Sequence, residues 1–343
     1  MSEKEKHLSR NGLLIIGAIA LITLIVGIIL YALGFNEEFY SDSSTVRAIF
    51  GAITYLGEAI TFVILTAVIF IAYDKKLAKR TILPLLFSYY LNHLVKEVFQ
   101  DTRPDTNFDP DGDPELDYLI EPSYGFPSGH TQNATCYWGY MANEFKDKPK
   151  PLGIPIVPVI LSVIIFLVAI SRMIIGVHDL QDVIGGLLIG IGFLLLFIYL
   201  EPIFTVQFNK LSFQIKLILT IFIAILLFVI PTLLFPSAGL GLVDDPPKYP
   251  DEGAFAQVGG VILGFGVGYL LEHQYIKYEP KELSSKQKLL NLVVGLIILL
   301  VLFIPLEYVL EFNSVFYRFG RYAVLSFVLT YVLPLIFTKI NKK

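Results

Sequence analysis

The chain has 343 residues, 55% of them hydrophobic and only 16% charged, with a mean hydropathy of +0.67. A globular protein carries roughly 25% charged residues, so this composition excludes an ordinary soluble domain and describes a chain that uses lipid as part of its solvent. The net charge of −4 says little taken whole. It gives no basic surface for nucleic acid, and none is expected as a partner.

Taken in chain order, the first apolar run, about 13–34, follows a basic flank of Lys4, Lys6 and Arg10. It is longer than the apolar region of a signal peptide, and Gly34-Phe35-Asn36-Glu37 offers no small-residue cleavage site, so it reads as an uncleaved span. Nine more candidate spans follow at about 52–73, 81–98, 128–144, 153–171, 180–200, 213–235, 254–271, 289–310 and 322–338. The expected fold is therefore an all-α polytopic membrane protein of about ten spans. The fourth span is the most polar, with Asn133, Thr135, Tyr140 and Asn143, and must face protein or water rather than lipid. The single cysteine, Cys136, lies in that span and reads as a packing residue. The same location makes glycosylation of the Asn133-Ala134-Thr135 sequon implausible.

Orientation follows from the basic residues. With the N-terminus inside, 19 of the 26 Lys and Arg fall on the inner side, while the outer loops are acidic. Both termini are then cytoplasmic. The outer exceptions are Arg47, Lys96, Arg103, Arg172, Lys248, Arg318 and Arg321.

Three of these exceptions belong to segments that the topology brings to one outer face. Lys96 and Arg103-Pro104 close the third span, Pro127-Ser128-Gly129-His130 opens the fourth, and Ser171-Arg172 through His178 to Asp182 joins the fifth to the sixth. Lys, two Arg and two His at one membrane level need a charge to neutralise or a reaction to run. The set suits a phosphate. Arg forks match phosphoryl geometry, Lys adds a point charge, and Ser128-Gly129 at a helix start offers backbone N–H groups. Two histidines can supply a nucleophile and a proton donor, and Asp182, four residues beyond His178, shares its helical face and can fix its tautomer.

These segments resemble the three signatures of the type 2 phosphatidic acid phosphatase superfamily, K-x6-R-P, P-S-G-H and S-R-x5-H-x3-D, over roughly residues 81–192. The resemblance implies that His178 is the nucleophile that becomes phosphohistidine, supported by Asp182. It makes His130 the general acid and base, and Lys96, Arg103, Ser128, Gly129 and Arg172 the phosphate-binding residues. It implies neither metal nor other cofactor. It also implies a six-helix catalytic core, here residues 1–205, so that residues 206–343 are additional transmembrane helices, about four, with no recognised motif. The wording around His130 and His178 is most similar to the sphingosine 1-phosphate phosphatase branch. The expected substrate is accordingly a lipid phosphate of sphingoid-base, polyprenyl or phosphatidate type, met among membrane lipids. The extra spans also resemble the extended set of glucose-6-phosphatase, which keeps a sugar phosphate as the alternative. A lipid-binding or lipid-moving relative without chemistry is the reading from another class.

Other features read more plainly. His93 reads as a satisfied helix histidine, and Glu58 and Glu307 as hydrogen-bonded structural acids near outer span ends. The acidic stretch from Asp109 to Asp117 fails the EF-hand pattern, because Pro114 and Ile120 stand where Gly and Glu are required. Gly260, Gly264 and Gly268 form a small-residue stripe for close helix packing within the chain, with a homodimer contact as the second reading.

Overall fold

The structure, a computed structural model, describes residues 39–104, 123–146, 155–235, 253–306 and 314–341, with Ile25 and Ile29. Apart from Ile25 and Ile29, the first expected span lies outside the described residues, as do the acidic stretch 109–117 and Glu307. Among the described residues there is no strand, and the fold is all-helical. Chain contacts divide it into two compact units, Met1–Phe62 with Phe87–Gln207, and Val63–Leu86 with Phe208–Lys343.

The helices are α1 (Ser44–Thr54), α2 (Ala59–Ala72), α3 (Lys75–Phe99), α4 (Gly129–Glu144), α5 (Ile156–Ile174), α6 (Leu180–Asn209), α7 (Phe213–Leu234), α8 (Ala254–Leu271), α9 (Ser285–Ile304), α10 (Val315–Phe327) and α11 (Leu333–Ile340). Six helical stretches among the described residues are long and apolar enough to cross a membrane. They start at Ile156, Leu180, Phe213, Ala254, Ser285 and Val315 and match the last six expected spans. The pair Ser44–Gly57 and Ala59–Ala72, bent by 46°, makes a seventh when taken as one broken span. The protein is thus a multi-pass membrane protein. The expected third and fourth spans are helical, as α3 and α4, but the polar content of α3 and the 16-residue length of α4 keep them out of this set, so the described residues do not reach the expected ten.

In the first unit, α4 shows why a polar span is tolerated. Every residue from Thr131 to Trp138 is buried, together with Tyr140, so its amides meet protein instead of lipid. Gln132 Nε2 donates to the Ser88 carbonyl at 2.9 Å, Ser88 Oγ to Asn133 Oδ1 at 3.1 Å, and Asn92 Nδ2 to Gln132 Oε1 at 2.9 Å. Each of these groups would cost several kcal/mol, on the order of 2–7, if desolvated without a partner. On its other side α4 lies against α6. There a Cβ on Gly186 would stand 2.5 Å from the Ser128 carbonyl, so only glycine lets the two helix starts approach this closely. Cys136 packs with Tyr140, Leu194 and Ile198, the structural role its apolar setting predicts.

In the second unit, the glycine stripe of α8 is covered by α10 and the π-helical turn Val328–Val332 that follows it. Added Cβ atoms on Gly260, Gly264 and Gly268 would lie 2.3, 2.0 and 2.1 Å from Phe319 O, Ala323 O and Thr330 Oγ1. Close packing within the chain therefore uses this stripe. Near the start of α3, Lys75 forms a buried ion pair with Glu272 at 3.0 Å. Tyr278 Oη donates to the Ile71 carbonyl and accepts from Asn291 Nδ2.

Candidate active site

The site is built where α3 and α5 end and α4 and α6 begin. A glycine sets its central turn. α5 ends at Ile174, and Gly176 takes a left-handed φ of 78°, a conformation that side-chain-bearing residues avoid. The chain reverses there and delivers Val177 and His178 just ahead of α6. His178 therefore stands before the helix, not on its face as the four-residue spacing predicts. The pair still forms, because Asp182 occupies the first turn of α6 and its Oδ2 lies 2.8 Å from His178 Nδ1.

That contact decides the tautomer. A carboxylate accepts the Nδ1 proton, so Nε2 carries the lone pair. Arg103 Nη1 stands 3.1 Å from Nε2 and also donates to the Val177 carbonyl at 2.7 Å. A phosphoryl group bonded at Nε2 would sit within reach of this guanidinium. Arg103 is held in turn by Ser123, whose carbonyl accepts from Nε and whose hydroxyl accepts from Nη2. Lys96 donates to the carbonyls of Tyr124 and Gly125, which fixes its ammonium beneath the turn that leads into α4. Arg172 is 1% exposed and donates from Nη1 to Thr54 Oγ1 at 2.8 Å.

Burial holds the His178 pKa well below the usual histidine range, and the positive charges of Arg103, Lys96 and Arg172 push it the same way. The imidazole is consequently neutral at physiological pH, the state a nucleophile needs.

Ser128 caps α4 and is fully buried. Its N–H donates to the Asp182 carbonyl at 2.9 Å and its hydroxyl accepts from Thr131 Oγ1 at 3.1 Å. The backbone N–H groups that α4 can turn toward an anion therefore begin at Gly129, since the first turn of a helix has no intrahelical acceptor for them. His130 Nε2 lies 2.8 Å from Glu58 Oε1. All eight residues singled out in the motifs belong to the first unit. Among the described residues, no group of three or more His, Cys, Asp or Glu is arranged to hold a metal ion.

Several contributors lie outside the motifs. Asn92, one helical turn before Lys96, donates to the Pro127 carbonyl at 3.1 Å and ties the α4 entrance to α3. Its spacing from Lys96 was the available signal. His93, on the neighbouring position, rests against Tyr89 with ring centres 4.5 Å apart. Ser123 and Thr54 carry no signal of their own. Glu58 does carry one, as a lone carboxylate in an apolar stretch.

Residues 77–205 match the family model described as the PAP2 superfamily, and residues 256–343 match the PAP2 superfamily phosphatase, transmembrane extension. Together the two matches span well over half of the chain. The chain carries a PAP2 superfamily domain and a PAP2 transmembrane extension. Among curated PAP2-like relatives, phosphatidylglycerophosphatase B of Bacillus subtilis (strain 168) is 37% identical over 107 residues, 29% of this chain and 46% of that protein. Lipid phosphate phosphatase delta of Arabidopsis thaliana is 27% identical over 215 residues, 60% of this chain and 47% of that protein. The chain thus spans about half the length of the curated relatives it matches. The crystal structure of the first transmembrane PAP2 type phosphatidylglycerolphosphate phosphatase from Bacillus subtilis is 26% identical, with a TM-score of 0.41 over 53% of this chain and 92% of that one. The match at 256–343 takes in most of α8 and all of α9 to α11 as an extension with its own family description, while α7 lies outside both matches.

Proposed function

We propose that this PAP2 protein is an integral-membrane phosphatase that hydrolyses the phosphate monoester of a lipid phosphate through a phosphohistidine on His178. The observation that carries the reading is the Asp182–His178–Arg103 line, a neutral imidazole with its lone pair aimed at a guanidinium. Nε2 of His178 attacks phosphorus, the bond to the leaving alcohol breaks, and His130 gives that oxygen its proton. His130 then takes a proton from water, the hydroxide attacks phosphorus, and the P–N bond breaks. The lone pair returns to Nε2 and inorganic phosphate departs. Lys96, Arg103 and Arg172 neutralise the phosphoryl oxygens throughout, with the Ser128 hydroxyl and the Gly129 N–H as further donors. The scheme asks for no metal, because three fixed cations supply the charge that a metal would otherwise bring.

A lipid phosphate is favoured by the site's place at helix ends, where a tail can stay in the membrane, and by the relatives, whose names specify phosphorylated lipids. The scarcity of Lys and Arg in the loops on the site's side favours the extracytoplasmic or lumenal face.

The test is phosphate release by the purified protein from a sphingoid-base phosphate, a polyprenyl phosphate, a phosphatidate and glucose 6-phosphate. At least one lipid should exceed the sugar by about tenfold or more in kcat/KM, a difference of ~1.4 kcal/mol in transition-state binding. A preference for the sugar phosphate would replace lipid by sugar as the substrate class. No release from any of them would leave a binding protein.

A further inference from the structure

The bent pair α1–α2 lies before the matched PAP2 segment and contains no motif, yet it reaches two residues of the site. Thr54 holds Arg172, and Glu58, one turn later, holds His130. The helix is broken between them. Tyr55–Gly57 is a 3-10 turn, Glu58 is extended at φ −77° and ψ 145°, and the axis bends by 46° before α2 resumes. Interrupting a helix in an apolar stretch forfeits backbone hydrogen bonds, so the break needs anchors. It has them: Thr61 Oγ1 donates to the Tyr55 carbonyl at 2.6 Å, and Trp138 Nε1 donates to the Leu56 carbonyl at 2.9 Å.

The turn is also pressed against the site. A Cβ on Gly57 would stand 2.6 Å from Val168 Cγ1 and 3.4 Å from two carbons of His130. Absence of a side chain at 57 is what lets the next residue, Glu58, lay its carboxylate on the imidazole. The His130 side chain is 12% exposed, so the carboxylate meets it in a partly desolvated setting where a charge-assisted hydrogen bond is strong.

Resting on the phosphatase reading, we infer that Glu58 is a positioning residue for the general acid. It fixes the tautomer and ring orientation of His130 as Asp182 does for His178. Each histidine then has one ring nitrogen on a carboxylate and does its chemistry from the other, Nε2 in His178 and Nδ1 in His130.

A general acid matters only when the leaving group needs a proton, and this supplies the test. Compare kcat/KM, which reports phosphoenzyme formation, on a long-chain alkyl phosphate and on a nitrophenyl phosphate carrying the same chain on its ring. The variants are His130→Ala, Glu58→Gln and Glu58→Asp, with elution profile and melting temperature recorded for each. His130→Ala should lose far more on the alkyl substrate than on the nitrophenyl one. Glu58→Gln should reproduce that selectivity, losing on the order of 10- to 100-fold on the alkyl phosphate and at least about tenfold less on the nitrophenyl phosphate. Glu58→Asp should recover part of the alkyl rate. Equal losses on both substrates, or no loss from Glu58→Gln beside a selective His130→Ala, would overturn the role of Glu58 and leave the phosphatase reading standing. A wild-type protein inactive on both would overturn that reading, and the role of Glu58 with it.

Discussion

At the scale of single residues, the proposed mechanism depends on one imidazole, that of His178, being uncharged. His178→Ala should lower kcat/KM by about 10³-fold or more because the nucleophile is lost, with an unchanged elution profile showing that the protein still folds. Retained turnover would remove His178 from the mechanism. The pH dependence follows from the same residue. Its pKa lies below the usual histidine range, so lowering the pH protonates it only after ordinary histidines have titrated. The acid limb of kcat/KM should therefore fall below about pH 6.5, and a limb above that value would contradict the buried cationic setting. These residues were legible in the sequence because phosphate chemistry restricts residue types, and Lys96, Arg103, His130, Arg172, His178 and Asp182 carry their meaning in identity and spacing. Ser123 and Thr54 were not legible, and Asn92 only through its spacing from Lys96. Their contribution is a hydrogen bond whose partner is fixed only when the chain has folded.

Among the elements, packing of polar or small residues against one another decides which helices can exist. The polar α4 was foreseen as a helix that must avoid lipid, and the structure supplies its partners in Ser88, Asn92 and α6. Its composition alone could not say which neighbours these would be. The glycine spacing of α8 predicts a close-packing surface, and α10 occupies it. Gly264 is the most crowded position, where a Cβ would stand 2.0 Å from the Ala323 carbonyl and 2.3 Å from Ser326 Oγ. Backbone cannot yield there as a flexible side chain would. Gly264→Leu should lower the thermal stability of the detergent-solubilised protein by about 1–3 kcal/mol or more, as overpacking does, whereas the same change at Gly192, which meets nothing within 4 Å, should cost little. Equal melting temperatures for the two variants would show that α8 and α10 are not packed in this way.

Over the whole molecule, sidedness is the property that thiol labelling can decide. The basic residues divide 19 to 7 between the two sides, and the site's own cations are three of the seven. On that proposed topology the phosphate site would stand on the face that the charge rule leaves poor in Lys and Arg, with basic residues kept there only where they are used. The sequence also provides the tool for testing this. Cys136 is the only cysteine and is fully buried, so one introduced cysteine would be the only accessible thiol. Thr102 is exposed beside Arg103 at the site, and Lys277 is exposed in the turn after α8. In intact cells, or in sealed vesicles of known orientation, a membrane-impermeant maleimide should label Thr102→Cys from the extracytoplasmic side. Lys277→Cys should be labelled only after permeabilisation. The reverse pattern would put the phosphatase site in the cytoplasm and require a cytoplasmic supply of substrate. Labelling of both from one side would mean that an odd number of crossings does not separate them, and the span count between α3 and α8 would have to be redrawn.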